Sequence, residues 1–133
     1  MDTLLKAPCP DMRRMSALDL AFVGDGVYDL LAREYLLQEG PSPVKKLLVR
    51  MTAVVCCKAQ SRALAGLWEG LSQEEREIAL RGRNAHVGHV PKNADIADYH
   101  GATALEALFG WLYLIGGIDR ARELFLLAVE VLG

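Results

Sequence analysis

Two carboxylates stand out because they lie in segments that are otherwise apolar. Asp25 sits between two glycines in Gly24-Asp25-Gly26, and Glu106 is the one charged residue in the stretch 103–110. A carboxylate that loses its hydration must be paired, hydrogen-bonded or bound to a metal ion. Two such carboxylates on two central helices predict a shared divalent cation. Hard oxygen ligands favour Mg²⁺, or Mn²⁺ as a substitute, over Zn²⁺.

Structural roles for the same two carboxylates are also open. Asp25 could cap a neighbouring helix, and a buried ion pair with an arginine would account for either carboxylate. The glycines Gly24 and Gly26 each cost a helix about 1 kcal/mol relative to alanine. A helix that carries both is expected to need close backbone approach to a neighbour.

A basic stretch follows in the second half of the chain. It begins with Arg81-Gly82-Arg83-Asn84-Ala85-His86 and continues with Pro91-Lys92-Asn93. Cations, amides and glycines are the groups that contact phosphates and riboses. The alternative is an ordinary polar surface loop. Lys58 and Arg62 are four residues apart and therefore share a helix face. The candidate nucleic-acid contacts are Lys58, Arg81, Arg83, Asn84, Lys92 and Asn93.

The charge distribution is more informative than its sum. The net charge of −2 is not typical of a nucleic-acid binder. Residues 44–92, however, carry nine basic and four acidic side chains, whereas residues 1–43 and 93–133 are both net acidic. This pattern fits either a solvated helical surface or a phosphate-binding face beside a carboxylate site.

Hydrophobic spacing predicts an all-α fold of about five main helices, with no convincing strand. The length of 133 residues corresponds to a single domain covering 1–133. Ser16 and the Ser72–Glu75 capping box mark two helix starts. The predicted helices cover about residues 16–37, 42–66, 72–82, 99–115 and 119–132, and residues 82–94 are predicted to form a loop.

Several other classes of protein are disfavoured. The chain has neither an apolar stretch long enough for a transmembrane helix nor a signal peptide, so no membrane contact is expected. The three cysteines, Cys9, Cys56 and Cys57, lack zinc-ligand spacing and favour a reduced, cytoplasmic chain. No metalloprotease, nucleophile-elbow, Walker or dinucleotide motif is present.

The segment Leu20–Leu30 resembles the signature helix of the ribonuclease III family, and Thr103–Gly110 resembles its second metal-binding helix. The match is closer to the Mini-III branch, which has the catalytic domain without an appended double-stranded-RNA-binding domain. Three more segments resemble that branch: Cys57–Ser61, Arg81–Ala85 and Pro91–Asp95.

The resemblance implies an all-α homodimer in which each subunit cuts one strand of an RNA duplex with the help of Mg²⁺. The family's signature aspartate falls on Asp25 and its second-helix glutamate on Glu106, so both are expected to be catalytic and metal-binding. The implied substrate is precursor ribosomal RNA of the large subunit (23S). Whether a ribosomal protein assists is left open. The dimer contact is expected to use the signature helix, including Phe22 and Tyr28.

Two of the family's four site carboxylates are absent here, because Ala21 and Thr103 occupy their positions. Both replacements look typical of the Mini-III branch, yet they call a complete two-metal site into question. They also motivate an alternative, a non-catalytic duplex-RNA-binding module with the same fold. A small all-α phosphohydrolase for nucleotides is a third hypothesis. The contributions of Thr103 and His100 to the site are left open.

Overall fold

The computed structural model describes residues 3–85, 92 and 95–133. Within these ranges the chain is helical and contains no strand, which confirms the all-α prediction. Short 3₁₀ turns lie at Met12–Arg14 and Trp68–Gly70. The six α-helices are α1 (Ala17–Leu37), α2 (Val44–Val55), α3 (Cys57–Leu67), α4 (Gln73–Arg83), α5 (Ile96–Leu114) and α6 (Ile118–Leu132). None of them is both long and apolar enough to cross a membrane.

Helices α1 and α4 begin where the sequence predicts. Ser16 accepts a hydrogen bond from the Asp19 backbone N–H, and the Asp19 carboxylate accepts one from the Ser16 backbone N–H. Ser72 and Glu75 form the same reciprocal pair at the start of α4. Each capping box satisfies two backbone donors that would otherwise lack partners inside the helix.

The second predicted helix, 42–66, is two helices rather than one. Cys56 adopts an extended backbone, with ψ of 158°, between α2 and α3. β-Branched residues and cysteine are weak helix formers, so the Val54-Val55-Cys56-Cys57 segment can break at little local cost. After the break, α3 packs against both α5 and α6, whereas α2 packs mainly against α1.

Helix α5 is the centre of the molecule and contacts α1, α3, α4 and α6. It begins at Ile96, earlier than the predicted start at Tyr99, because Asp95 caps it by accepting from the N–H groups of Ala97 and Asp98. Tyr28 of α1 packs edge-on against Phe109 and against Phe125 of α6. The fully buried side chains Leu105, Leu108 and Phe109 account for the apolar composition of α5.

A charged bridge ties α6 to the start of α4. The Arg120 guanidinium donates to both carboxylate oxygens of Glu75, at 2.8 and 2.9 Å, and to the carbonyl oxygen of Gly70. The Glu75 side chain is only 7% exposed. The hydrogen bond from Arg120 is the main cause that lowers the Glu75 pKa. This contribution to stability is therefore present above the usual carboxyl pKa and is lost as the pH falls through the lowered value.

Replacing Arg120 with alanine is expected to lower the free energy of unfolding by about 3 kcal/mol, because Glu75 would stay buried without its cation. Arg122→Ala is the matched control, since its partner Asp119 is mostly exposed, and it should cost less than about 1 kcal/mol. Urea denaturation of both variants at neutral pH measures the difference. Equal losses would contradict the assignment.

Candidate functional site

Helices α1 and α5 approach so closely at one crossing that side chains are excluded there. A Cβ atom on Gly24 would lie 1.6 Å from the carbonyl oxygen of Glu106, and one on Gly110 would lie 1.9 Å from that of Leu20. The expected close backbone approach is therefore confirmed for Gly24. It is wrong for Gly26, whose Cβ would meet nothing within 4 Å because Gly26 lies on the exposed side of α1.

The crossing places the side chains of Asp25 and Glu106 next to each other. The two carboxyl groups are close enough for Asp25 to act on the pKa of Glu106. Burial, followed by repulsion from Asp25, raises the pKa of Glu106 to about 8. Asp25 itself lies on the exposed side of α1 rather than in the apolar interior suggested by its neighbours. The pair is thus a half-buried carboxyl group beside an open one.

The structure argues against both a capping role and an ion-pairing role for these carboxylates. Among the described residues, no ion pair includes Asp25 or Glu106. The side-chain caps found in the same ranges belong to Asp11, Ser16, Ser72 and Asp95. Asp25 therefore neither caps one of these helices nor neutralises an arginine.

A third carboxylate, Asp29, adds negative charge beside the pair. It was not among the candidate site residues predicted from the sequence. It follows Asp25 by four residues and so lies on the same side of α1. Burial and repulsion from Asp25 raise the pKa of Asp29, while Arg33 acts in the opposite direction. Asp29 also contributes to the raised pKa of Glu106. The spacing from Asp25 was the signal that could have identified it.

Gln60 of α3 is the second residue that sequence reasoning missed as an individual site residue. Gln60 is 2% exposed, and its amide lowers the pKa of the nearby Glu106 carboxyl, which partly opposes the rise caused by burial and by Asp25. Cys57, one turn earlier, is also close to Glu106, because burial and the charge of Glu106 raise the pKa of its thiol. A polar side chain among alanines that are spaced for burial was the signal in the sequence.

Lys58 is exposed in the first turn of α3, immediately after Cys57. Lys92 is also exposed. Asn93 lies outside the described residues, as does most of the predicted loop 82–94. The start of that prediction is wrong, since Gly82 and Arg83 belong to α4.

The other basic candidates lie at the end of α4. Arg83 and Asn84 are exposed, while Arg81 donates to the Met15 carbonyl oxygen at 3.1 Å and so has one donor engaged within the chain. Gly82 packs against Ala104 and Ala107 of α5. The two arginines therefore stand on either side of the residue at which α4 packs against α5, the helix that carries Glu106.

Thr103 and His100 have structural partners in the described part of the chain. The Thr103 hydroxyl donates to the Tyr99 carbonyl oxygen at 3.0 Å within α5. His100 Nδ1 lies 2.9 Å from the carbonyl oxygen of Arg83 and links α5 to the last turn of α4. Thr103, at the position that the resemblance assigns to a family carboxylate, therefore makes a hydrogen bond within its own helix.

Of the two residues expected at the dimer contact, only Phe22 is accessible. Tyr28 is fully buried in the subunit core, because its ring packs between Phe109 and Phe125, and it cannot contact a second chain. Phe22 is 84% exposed. It projects from α1 beside an apolar groove of about 570 Å³ that is lined in part by Val23, Gly26, Val27 and Leu30.

Within the ranges that the structure describes, no three or more His, Cys, Asp or Glu side chains are arranged as a metal site. The described residues therefore offer a pair of carboxylates, Asp25 and Glu106, rather than a complete cage. Mg²⁺ commonly retains several water molecules and binds through one or two carboxylates together with substrate phosphates. The donor set of Asp25 and Glu106 fits that mode of binding.

Comparison with known proteins places the chain in a family. The ribonuclease III domain family matches residues 18–117. A Mini-ribonuclease 3 from Brevibacillus brevis is 41% identical over 86% of this chain and 85% of its own length. One from Thermoanaerobacter sp. is 37% identical over 89% of this chain and 83% of its own.

A crystal structure of a Fusobacterium nucleatum protein superimposes with a TM-score of 0.81 at 31% identity, covering 90% of this chain and 96% of that one. The fold, the order of the motifs along the chain and these relatives all indicate the same family. The chain therefore belongs to the ribonuclease III family, in its Mini-ribonuclease 3 branch, and is an endoribonuclease.

Proposed function

We propose that the protein cleaves double-stranded RNA at the Asp25–Glu106 pair with Mg²⁺, for which Mn²⁺ can substitute. The observation that carries the proposal is the α1–α5 crossing, which brings the two carboxylates together with no described cationic side chain paired to them. Two adjacent carboxylates repel each other, and a divalent cation between them would relieve that repulsion.

Asp25 and Glu106 are the proposed ligands of the metal ion. When bound, Mg²⁺ lowers the pKa of a coordinated water and offsets charge at the scissile phosphate. Glu106 must lose its proton to serve as a ligand, and the Gln60 amide favours the ionised form. The exposed position of Asp25 leaves its carboxylate accessible to an RNA backbone.

The basic residues are proposed to hold the RNA rather than to read its sequence. A-form RNA presents phosphates and 2′-hydroxyl groups to side chains, while its major groove is too narrow to enter. Lys58 is exposed in the first turn of α3, the helix that also carries Gln60, and is proposed to contact a phosphate. The remaining proposed contacts are Arg81, Arg83, Asn84, Lys92 and Asn93.

The deciding experiment compares a long RNA duplex, the separated RNA strands, a DNA duplex and free nucleotides as substrates, with and without Mg²⁺. We expect cleavage of the RNA duplex only, and only with the metal ion. Duplex binding without cleavage would favour the non-catalytic module. Turnover of nucleotides with no duplex affinity would favour a nucleotide phosphohydrolase. The family assignment already favours catalysis.

We further propose that the active form is a homodimer and that its natural substrate is precursor 23S ribosomal RNA. One chain supplies one carboxylate pair, so cutting both strands of a duplex in one encounter requires two chains. The exposed Phe22 and the adjacent groove form an apolar surface of the kind that protein–protein contacts bury. The relationship to Mini-ribonuclease 3 proteins supports RNA as the substrate.

Phe22→Asp is expected to give monomers, because it places a charge at the centre of the proposed contact. Leu126→Asp is the matched control, since Leu126 is half exposed on α6, away from that surface. Analytical ultracentrifugation at micromolar concentration should show a dimer for the control and a monomer for Phe22→Asp. A dimer in both variants would place the interface elsewhere.

A further inference from the structure

The Gln60 side chain is a polar group buried among apolar ones. It is 2% exposed on α3, and its helix neighbours Ala59, Ala63 and Leu64 are also buried. An amide in such surroundings destabilises the fold unless it is hydrogen-bonded. Its amide is close enough to the Glu106 carboxyl to lower the pKa of that group, so the polar group faces the carboxylate pair rather than the apolar core.

The backbone that carries Gln60 is braced against α5. A Cβ atom on Gly101 would lie 2.5 Å from Ser61 Oγ and 3.2 Å from Ser61 Cα, so the residue next to Gln60 is in close contact with α5. The contact lies five residues before Glu106 on the same helix. The position of the amide is therefore set by helix packing, which is more exact than a loop could provide.

We propose that Gln60 is a positioning residue whose amide holds the Glu106 carboxylate in the orientation that faces Asp25 and binds the cation. The inference rests on the proposed metal site. A free glutamate side chain has many rotamers, and ordering them opposes metal binding. Because Ala21 and Thr103 supply no carboxylate, loss of orientation at Glu106 cannot be made up by another of these positions.

The test replaces Gln60 with leucine, which has a similar volume and suits the buried site. Removing a group that orients a metal ligand typically weakens metal affinity or activity by about 10- to 100-fold. We expect Mn²⁺ to bind the RNA-free Gln60→Leu protein at least about 10-fold more weakly, as measured by electron paramagnetic resonance of free Mn²⁺. Half-maximal cleavage should require correspondingly more Mg²⁺. The KM for duplex RNA at saturating Mg²⁺ and the Tm should be unchanged.

Gln73→Leu is the matched control. Gln73 likewise lies beside a glutamate, Glu77, to which it donates at 3.3 Å, but on the exposed surface of α4. It should leave Mn²⁺ affinity and Mg²⁺ dependence unchanged. Gln60→Met provides a second, unbranched replacement if Gln60→Leu does not fold.

Unchanged Mn²⁺ affinity in a folded Gln60 variant would overturn the proposal. A lowered Tm together with a rate loss that is the same at all Mg²⁺ concentrations would also overturn it. Failure of both Gln60 variants to fold would do the same, since each of these results points to a role in the core alone. Asp25→Asn in the same titration separates the two ideas. If it weakens Mn²⁺ binding and Gln60→Leu does not, only the positioning role fails. If the wild-type protein neither binds Mn²⁺ nor cleaves RNA, the proposed metal site itself is contradicted.

Discussion

Asp25→Asn should reduce the cleavage rate of duplex RNA by about 10³-fold or more, equivalent to about 4 kcal/mol of activation free energy. Asparagine keeps the shape of the side chain but removes one of the two proposed charged ligands. With Ala21 and Thr103 at the other family positions, neither of these can replace it. Single-turnover cleavage at saturating enzyme measures the loss, and filter binding should show duplex affinity within a few-fold of the wild type.

The same substitution should not destabilise the metal-free protein, and this is its most diagnostic feature. The charge of Asp25 raises the pKa of Glu106, so Asp25→Asn relieves repulsion in the absence of metal. Its free energy of unfolding should equal or exceed that of the wild type. Glu34→Gln, an exposed carboxylate on the same helix, is the control and should alter neither quantity. Retained cleavage in Asp25→Asn would remove Asp25 from the site.

The raised pKa of Glu106 also determines how the stability of the metal-free protein changes with pH, in the wild type and in Asp25→Asn. Between the usual carboxyl pKa of about 4.3 and a pH of about 8, the folded metal-free protein holds a proton that the unfolded chain has lost. Wild-type stability without metal should therefore fall as the pH rises through that window and level off above it. Asp25→Asn should reduce this fall without abolishing it, because burial is the larger cause of the raised pKa. Metal binding near pH 7 should release close to one proton per site, which calorimetry in two buffers can measure.

Gly24→Ala should destabilise the protein by more than about 4 kcal/mol, because the added Cβ meets backbone rather than a flexible side chain. The Glu106 carbonyl oxygen would lie 1.6 Å away, and the Gly110 nitrogen 2.8 Å away. The clash is relieved when α1 separates from α5, the two helices that carry the carboxylates. Activity should fall with the fold, since the distance between Asp25 and Glu106 depends on this crossing.

Gly26→Ala is the control for this prediction and should have the opposite sign. Gly26 lies two residues further along α1, with open space around its Cβ position. Alanine there should stabilise the helix by up to about 1 kcal/mol. Thermal denaturation of both variants distinguishes them. A Gly24→Ala protein with wild-type Tm would show that the helices are not in contact at this crossing.

Much of the fold was predictable from local signals. Ser16 and the Ser72–Glu75 box marked helix starts because capping depends on residues only three apart. The break at Cys56 was not predictable in the same way. No glycine or proline stands there, and apolar spacing continues through the segment. Its cause is tertiary, since it turns α3 onto α5 and α6.

By itself, the sequence determined that Asp25 and Glu106 are unusual carboxylates on apolar helices, and that the chain resembles ribonuclease III. The tertiary structure alone decided which groups surround them. Asp29 and Gln60 join the pair, Tyr28 enters the core, and Phe22 stays exposed. Composition and spacing report what each helix can bury, whereas distances between helices depend on contacts such as Gly24 against Glu106. Such contacts join residues far apart in the chain, so no local pattern specifies them.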